Sequence, residues 1–170
     1  YLIDASNYLF RAYYALPPMN NGRGEATHAL YGFIRSLLKL IADFSPPYLA
    51  IVFDGPGGSE TRKAVYTDYK AHRRPTPEDL PEQAKKARVF CHLMGLPLID
   101  APGVEADDAI ATIATHWSKQ KAQVFICSSD KDLAQLVDSQ ITVLNTAKEN
   151  LLMGPKQVEE IFGVRPQQMR

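Results

Sequence analysis

The run Tyr48-Leu49-Ala50-Ile51-Val52-Phe53, closed at once by Asp54, constrains this chain more than any other stretch. A strand that is apolar on both faces must be covered on both, so it belongs inside a parallel sheet with helices on either side. Tyr1-Leu2-Ile3 runs into Asp4 in the same way. Leu96-Pro97-Leu98-Ile99 leads through Asp100 to Gly103-Val104-Glu105-Ala106-Asp107-Asp108, and Gln123-Val124-Phe125-Ile126-Cys127 leads to Ser128-Ser129-Asp130-Lys131-Asp132. Helical patterns fill the gaps. From Thr27 the apolar positions Leu30, Phe33, Ile34, Leu37, Leu38 and Ile41 keep three-four spacing. Ser6 or Asn7 is expected to cap a helix through Tyr14, and Pro81 to open one that Gly95 ends. Ile141 to Leu144 reads as a last core strand, with Leu151-Leu152-Met153 turning back on it before a helix from Pro155 to Gly163. Alternating strands and helices predict an α/β fold with a mostly parallel central sheet flanked by helices.

Ligands of such sheets bind beyond the carboxyl ends of the strands. Asp4, Asp54, Glu105, Asp107, Asp108, Asp130 and Asp132 all fall at those ends. One acidic cluster at a helix start is ordinary dipole and capping chemistry; acids at four strand ends ask for a cation. On a regular helix Glu105 and Asp107 point nearly opposite ways, so Glu105 is expected before or at the helix start, turned into the same cavity as Asp107 and Asp108. Oxygen donors without Cys or His select a hard ion such as Mg²⁺ or Mn²⁺, and seven carboxylates exceed the need of one ion. Two ions would suit phosphoryl transfer or phosphodiester hydrolysis.

Charge supports a polyanionic partner once its distribution is considered. The 170 residues carry 19 bases and 19 acids. With the seven nominated acids set aside, the bases outnumber the remaining acids and the rest of the surface is basic. Residues 59–81 form a basic insertion in which Arg62, Lys63, Lys70, Arg73 and Arg74 are set among Tyr66, Tyr69 and His72. Bases supply charge for phosphates and rings supply stacking faces for a single strand; a solvated basic surface is the plainer alternative. Gly55-Pro56-Gly57-Gly58 is a loop and not a P-loop, since no Gly-Lys-Ser/Thr follows. Arg11 and Arg23 are expected to be solvated surface bases. Cys91 and Cys127 lack metal or redox spacing and are expected to be buried packing residues in a reducing, cytoplasmic setting; Trp117 is also expected to pack. No apolar run is long enough to span a bilayer.

The set Leu2-Ile3-Asp4, Val52-Phe53-Asp54, Tyr69-Lys70-Ala71-His72-Arg73, Gly103 to Asp108 and Ser129 to Asp132 resembles the 5′-nuclease family. That family comprises the 5′→3′ exonuclease domain of bacterial DNA polymerase I, stand-alone 5′-exonucleases and flap endonucleases. The resemblance implies a PIN-like, resolvase-like core with a helical arch at residues 59–81. It implies a metal-dependent enzyme that hydrolyses DNA at 5′ ends and flaps, with RNA-primed ends as further substrates. It matches Asp4, Asp54, Glu105 and Asp107 to one metal, and Asp108, Asp130 and Asp132 to a second. Lys70 and Arg73 match bases leaning toward the scissile phosphate, and Tyr69 an aromatic near unpaired nucleotides. Family members continue with a further Asp-x-x-Asp element and a helix-hairpin-helix region. Residues 1–170 are therefore expected to be a single catalytic-core fragment of a longer protein, with a polymerase domain a possible neighbour on the same chain.

Three rival readings share some of these features. A phospho-receiver domain collects acids at strand ends but has no use for the basic insertion or for seven acids. A PIN-like ribonuclease is closer, because the sequence separates RNA from DNA poorly. A non-catalytic nucleic-acid clamp would have its acids repel phosphates unless metal were bound.

Overall fold

The computed structural model describes residues 1–58 and 75–169. The sheet has six strands: β1 (Leu2–Asp4), β2 (Ala50–Val52), β3 (Leu98–Ile99), β4 (Val124–Cys127), β5 (Ile141–Asn145) and β6 (Leu151–Met153). Their spatial order is β3-β2-β1-β4-β5-β6. All neighbours are parallel except β5 and β6, which form the expected antiparallel return. Among the described residues the helices are α1 (Ala5–Ala15), α2 (His28–Phe44), α3 (Leu80–Leu93), α4 (Ala106–Lys119) and α5 (Pro155–Phe162), with 3-10 turns at Lys131–Leu136 and Pro166–Gln168.

Strand alternation divides the apolar residues between two cores. Ile3, Ile51, Phe53, Cys127 and Leu144 pack with α1, α2 and α3 on one face. Leu2, Val52, Val124, Ile126 and Val143 pack with α4 and α5 on the other. Both faces are covered, which is why the strands read as continuous apolar runs. Burial pushes the Cys91 thiol up to about 11 and that of Cys127 to about 12, so both are neutral packing groups, as expected. No described helix is long and apolar enough to cross a membrane.

Several local expectations shift. The strand expected over Tyr48–Phe53 is limited to Ala50–Val52, and Tyr48 is 85% exposed. The first helix starts at Ala5, capped by Asp4 rather than by Ser6 or Asn7: the Asp4 carboxylate accepts the Asn7 N–H at 2.9 Å. Trp117 is half exposed, and Leu38 leaves the apolar face of α2. The insertion expected over 59–81 ends sooner, since α3 begins at Leu80; residues 59–74, with Arg62, Lys63, Tyr69, Lys70, Arg73 and Arg74, lie outside the described residues.

The start of α3 is tied into the body by a buried polar side chain. Gln83 Oε1 accepts from the N–H of Ala29 at 2.8 Å and of Leu30 at 3.2 Å, satisfying the first turn of α2, whose own cap residue Thr27 makes no side-chain capping bond because its hydroxyl donates to Met19 O at 3.2 Å. Gln83 Nε2 donates to Asp79, which also accepts from the Tyr13 hydroxyl at 2.8 Å. Lys86 and Glu25 add an ion pair at 2.7 Å between α3 and the loop before α2.

Candidate active site

The chain runs β1-β2-β3 outward in one direction and β4-β5 in the other, so the order of the strands reverses between β1 and β4. A crevice at that switch point is where an open α/β sheet binds its ligand. Asp4 ends β1 there, 7% exposed, and Ser128, fully buried, follows β4. Ser128 Oγ donates to Asp4 Oδ2 at 2.9 Å across the crevice. The same Oγ accepts the Asp130 N–H at 3.1 Å, so one serine links two acids. Asn7 Oδ1 accepts from both the N–H and the hydroxyl of Ser129, at 3.0 and 2.8 Å, pinning the loop after β4 to α1.

Asp54 reaches the same edge from β2. Its Oδ2 accepts from Ser6 Oγ at 2.6 Å, and its Oδ1 accepts the Ala106 N–H at 2.8 Å, in the first turn of α4. The loop that follows lies directly on the loop bearing Glu105: Gly55 N–H donates to Val104 O at 2.9 Å and Gly103 N–H to Pro56 O at 2.8 Å. A Cβ on Gly55 would sit 1.7 Å from Ala101 O, so the two acid-bearing loops meet only because that position is glycine. Glu105 is the extended N-cap residue of α4 and is buried, where its spacing placed it.

Burial, first of all, raises the Asp4 carboxyl to about 6, against hydrogen bonds from Asn7 and Ser128 that lower it; the charges of Asp54 and Asp130 raise it further. Asp4, Asp54 and Asp130 thus share one electrostatic site. Asp4 and Glu105 are the buried acids; Asp107, with Oδ1 on the Asp108 N–H, and Asp130 are half-buried, and Asp54, Asp108 and Asp132 are exposed. Asp130 caps a 3-10 turn through the Asp132 N–H at 3.0 Å.

The donor chemistry fits a hard divalent cation, because a buried carboxylate beside two others is relieved by positive charge. Among the described residues no three acidic, His or Cys side chains close on one point as they stand. Holding an ion directly therefore requires a carboxylate to turn from its present hydrogen bonds, or water to bridge. A cleft of about 610 Å³ opens at the opposite, amino-terminal edge, walled by Tyr1, Tyr48, Pro97 and Trp117; none of the seven acids lines it.

Four supporting residues were not nominated from sequence: Ser6, Asn7, Ser128 and Ser129. Each lies within three residues of a nominated acid, a signal that could have been read as site-building. Arg11 is not the solvated base expected: it is half-buried, 4.5 Å over the Tyr8 ring, with Nη2 on Thr146 Oγ1 at 3.3 Å.

An acid-rich switch point on a mostly parallel sheet has the donor chemistry that suits hard cations. The model of the 5′-3′ exonuclease N-terminal resolvase-like domain matches residues 1–163, and the chain belongs to that family. It is 38% identical over 169 residues to a 5′-3′ exonuclease of Aquifex aeolicus, covering 99% of this chain and 58% of that protein. It is 42% identical over 167 residues to DNA polymerase I of Deinococcus radiodurans, covering 98% of this chain and 17% of the relative. The chain thus spans just over half of one relative and under a fifth of the other. Its fold matches bacteriophage T5 5′-exonuclease with divalent zinc bound, with a TM-score of 0.76 at 19% identity, over 99% of this chain and 62% of that one. It also matches the T5 flap endonuclease in a pseudo-enzyme–product complex with DNA and metal ions, with a TM-score of 0.72 at 20% identity, over 96% and 60% of the two chains.

Proposed function

We propose that this chain is the catalytic core of a divalent-metal-dependent 5′ nuclease that hydrolyses DNA phosphodiesters at 5′ ends and flaps, RNA-primed ends included. The observation that carries the reading is the buried Asp4 carboxylate at the β1/β4 switch point, raised to about 6 by burial first and by Asp54 and Asp130 beside it. Such a group is costly to the fold and is explained by a positive ligand. The relatives' names, a 5′-3′ exonuclease and DNA polymerase I, point to the same activity.

In this reading Asp4, Asp54, Glu105 and Asp107 hold one Mg²⁺ or Mn²⁺, and Asp108, Asp130 and Asp132 face a second, partly through water. Bound ions supply Lewis acidity, making water nucleophilic at neutral pH and offsetting charge on the phosphate. Ser6 and the Ala106 N–H orient Asp54; Ser128 orients Asp4 and steadies Asp130. Lys70 offsets phosphate charge in the transition state, Arg73, Arg74, Arg62 and Lys63 hold phosphates, and Tyr69 stacks on an unpaired base.

The test is cleavage of an end-labelled 5′-flap duplex with Mg²⁺ or Mn²⁺ by the natural-length protein and its Asp54→Ala variant. Ion-dependent cuts lost in the variant are expected. Equal turnover by the variant would refute the mechanism, and a preference for an all-RNA flap would favour the ribonuclease reading.

A further inference from the structure

We propose that Arg88 is a positioning residue for Asp54, acting on its main chain from the middle of α3. The inference rests on the metal-site reading above and adds a residue to it. Asp54 lies two residues past β2, just after Phe53, whose N–H makes the last ladder bond to Ile99 O at 2.9 Å. Beyond that bond the chain leaves the sheet. Arg88 Nη2 meets it there, donating to the Asp54 carbonyl at 2.9 Å. The guanidinium is itself fixed from two sides: Nη1 pairs with the Asp100 carboxylate just past β3, and the plane lies 4.1 Å over the Phe53 ring. Its side chain is 30% exposed, so it is partly screened from water.

Asp54 is consequently held at both ends. Arg88 fixes its carbonyl, while Ser6 and Ala106 fix its carboxylate oxygens from the first turns of α1 and α4. Rotation about the bonds between these two ends is what would carry the carboxylate out of the crevice. A planar, forked guanidinium can serve the carbonyl, the Asp100 carboxylate and the ring together; a lysine ammonium on the same stem cannot. Groups that orient a metal ligand commonly change metal affinity by about tenfold or more when removed. Arg88 meets Asp54 at the main-chain carbonyl and not at the carboxylate, so its effect passes through the placement of Asp54.

The experiment uses the natural-length protein, with Mn²⁺ binding followed by titration calorimetry and cleavage of a 5′-flap duplex followed in parallel. Arg88→Met is expected to weaken Mn²⁺ about tenfold and to lower kcat, with KM for the flap unchanged. Arg88→Lys should show a smaller loss, and it carries the test if Arg88→Met fails to fold. Asp100→Asn removes the charge of the pair but keeps an oxygen for Nη1 and leaves Nη2 on the Asp54 carbonyl; it should lose much less Mn²⁺ affinity than Arg88→Met. Wild-type Mn²⁺ affinity in both Arg88 variants overturns the proposal, as does an equal loss in Asp100→Asn, which would make the effect one of stability. Absence of Mn²⁺ binding and of cleavage in the wild type would instead overturn the metal-site reading on which the proposal rests.

Discussion

Asp4→Asn should make the metal-free protein more stable at neutral pH while removing its activity. The Asp4 carboxyl is raised from 3.8 to about 6, with burial the largest cause. A carboxyl that holds its proton more tightly when folded destabilises the fold once it ionises. The penalty is absent below the unfolded value, grows as pH rises from 3.8 to about 6, and is complete above that. About two pH units correspond to about 3 kcal/mol at neutral pH. Asparagine removes the charge and keeps an oxygen for the Asn7 N–H, but its amide must be accommodated by Ser128, so a net gain of about 1–3 kcal/mol is expected. At about 2–4 °C per kcal/mol for a chain of this size, thermal melts resolve it. Melts of wild type and variant in EDTA from pH 4 to 7.5 should diverge as pH rises, and titrating groups remote from Asp4 cancel in the difference. Adding Mn²⁺ should stabilise the wild type and not the variant. A variant less stable than wild type at pH 7.5, or a gap that does not change with pH, would refute the argument.

Two substitutions test the supports of the site. Gly55→Ala places a Cβ 1.7 Å from Ala101 O and should cost about 1–3 kcal/mol in urea unfolding and weaken Mn²⁺ by parting the Asp54 and Glu105 loops; Gly22→Ala, with nothing within 4 Å, should be close to neutral. Gln83→Leu strips the acceptor from the Ala29 and Leu30 N–H groups and should cost about 2–4 kcal/mol by the same assay; a wild-type midpoint would show that those donors find other partners.

The sheet was legible because burial on both faces leaves a strong mark: Ile51 and Phe53 serve one core while Val52 serves the other, so no polar residue is tolerated. The acids were legible for the opposite reason, since a carboxylate at the end of such a run stands out. Boundaries were less so. Tyr48 has the composition of a strand residue but lies outside the ladder, where its hydrophobicity lines the amino-edge cleft. Gln83 was invisible because its burial depends on the orphan N–H groups of a helix 53 or more residues earlier. The supports of the site share that property. Ser6 finds Asp54 across 48 residues, Asn7 finds Ser129 across 122 and Ser128 finds Asp4 across 124. No periodicity records a hydrogen bond of that span.

The strand order explains why the acidic motifs lie so far apart in the chain. β1 is flanked by β2 from one half of the sheet and β4 from the other, so Asp4 faces acids of both halves. Asp54, its loop held against the Glu105-bearing loop by the Gly55 contact, arrives from the β2 side. Asp130 and Asp132 arrive from the β4 side, fastened by Ser128 and Asn7. A site built this way has one shared acid and two wings, each with its own hydrogen-bonded support. Such a division separates the effects of damage: loss of Ser6 or Arg88 loosens the β2 wing, whereas loss of Asn7 loosens the β4 wing and leaves Asp54 in place.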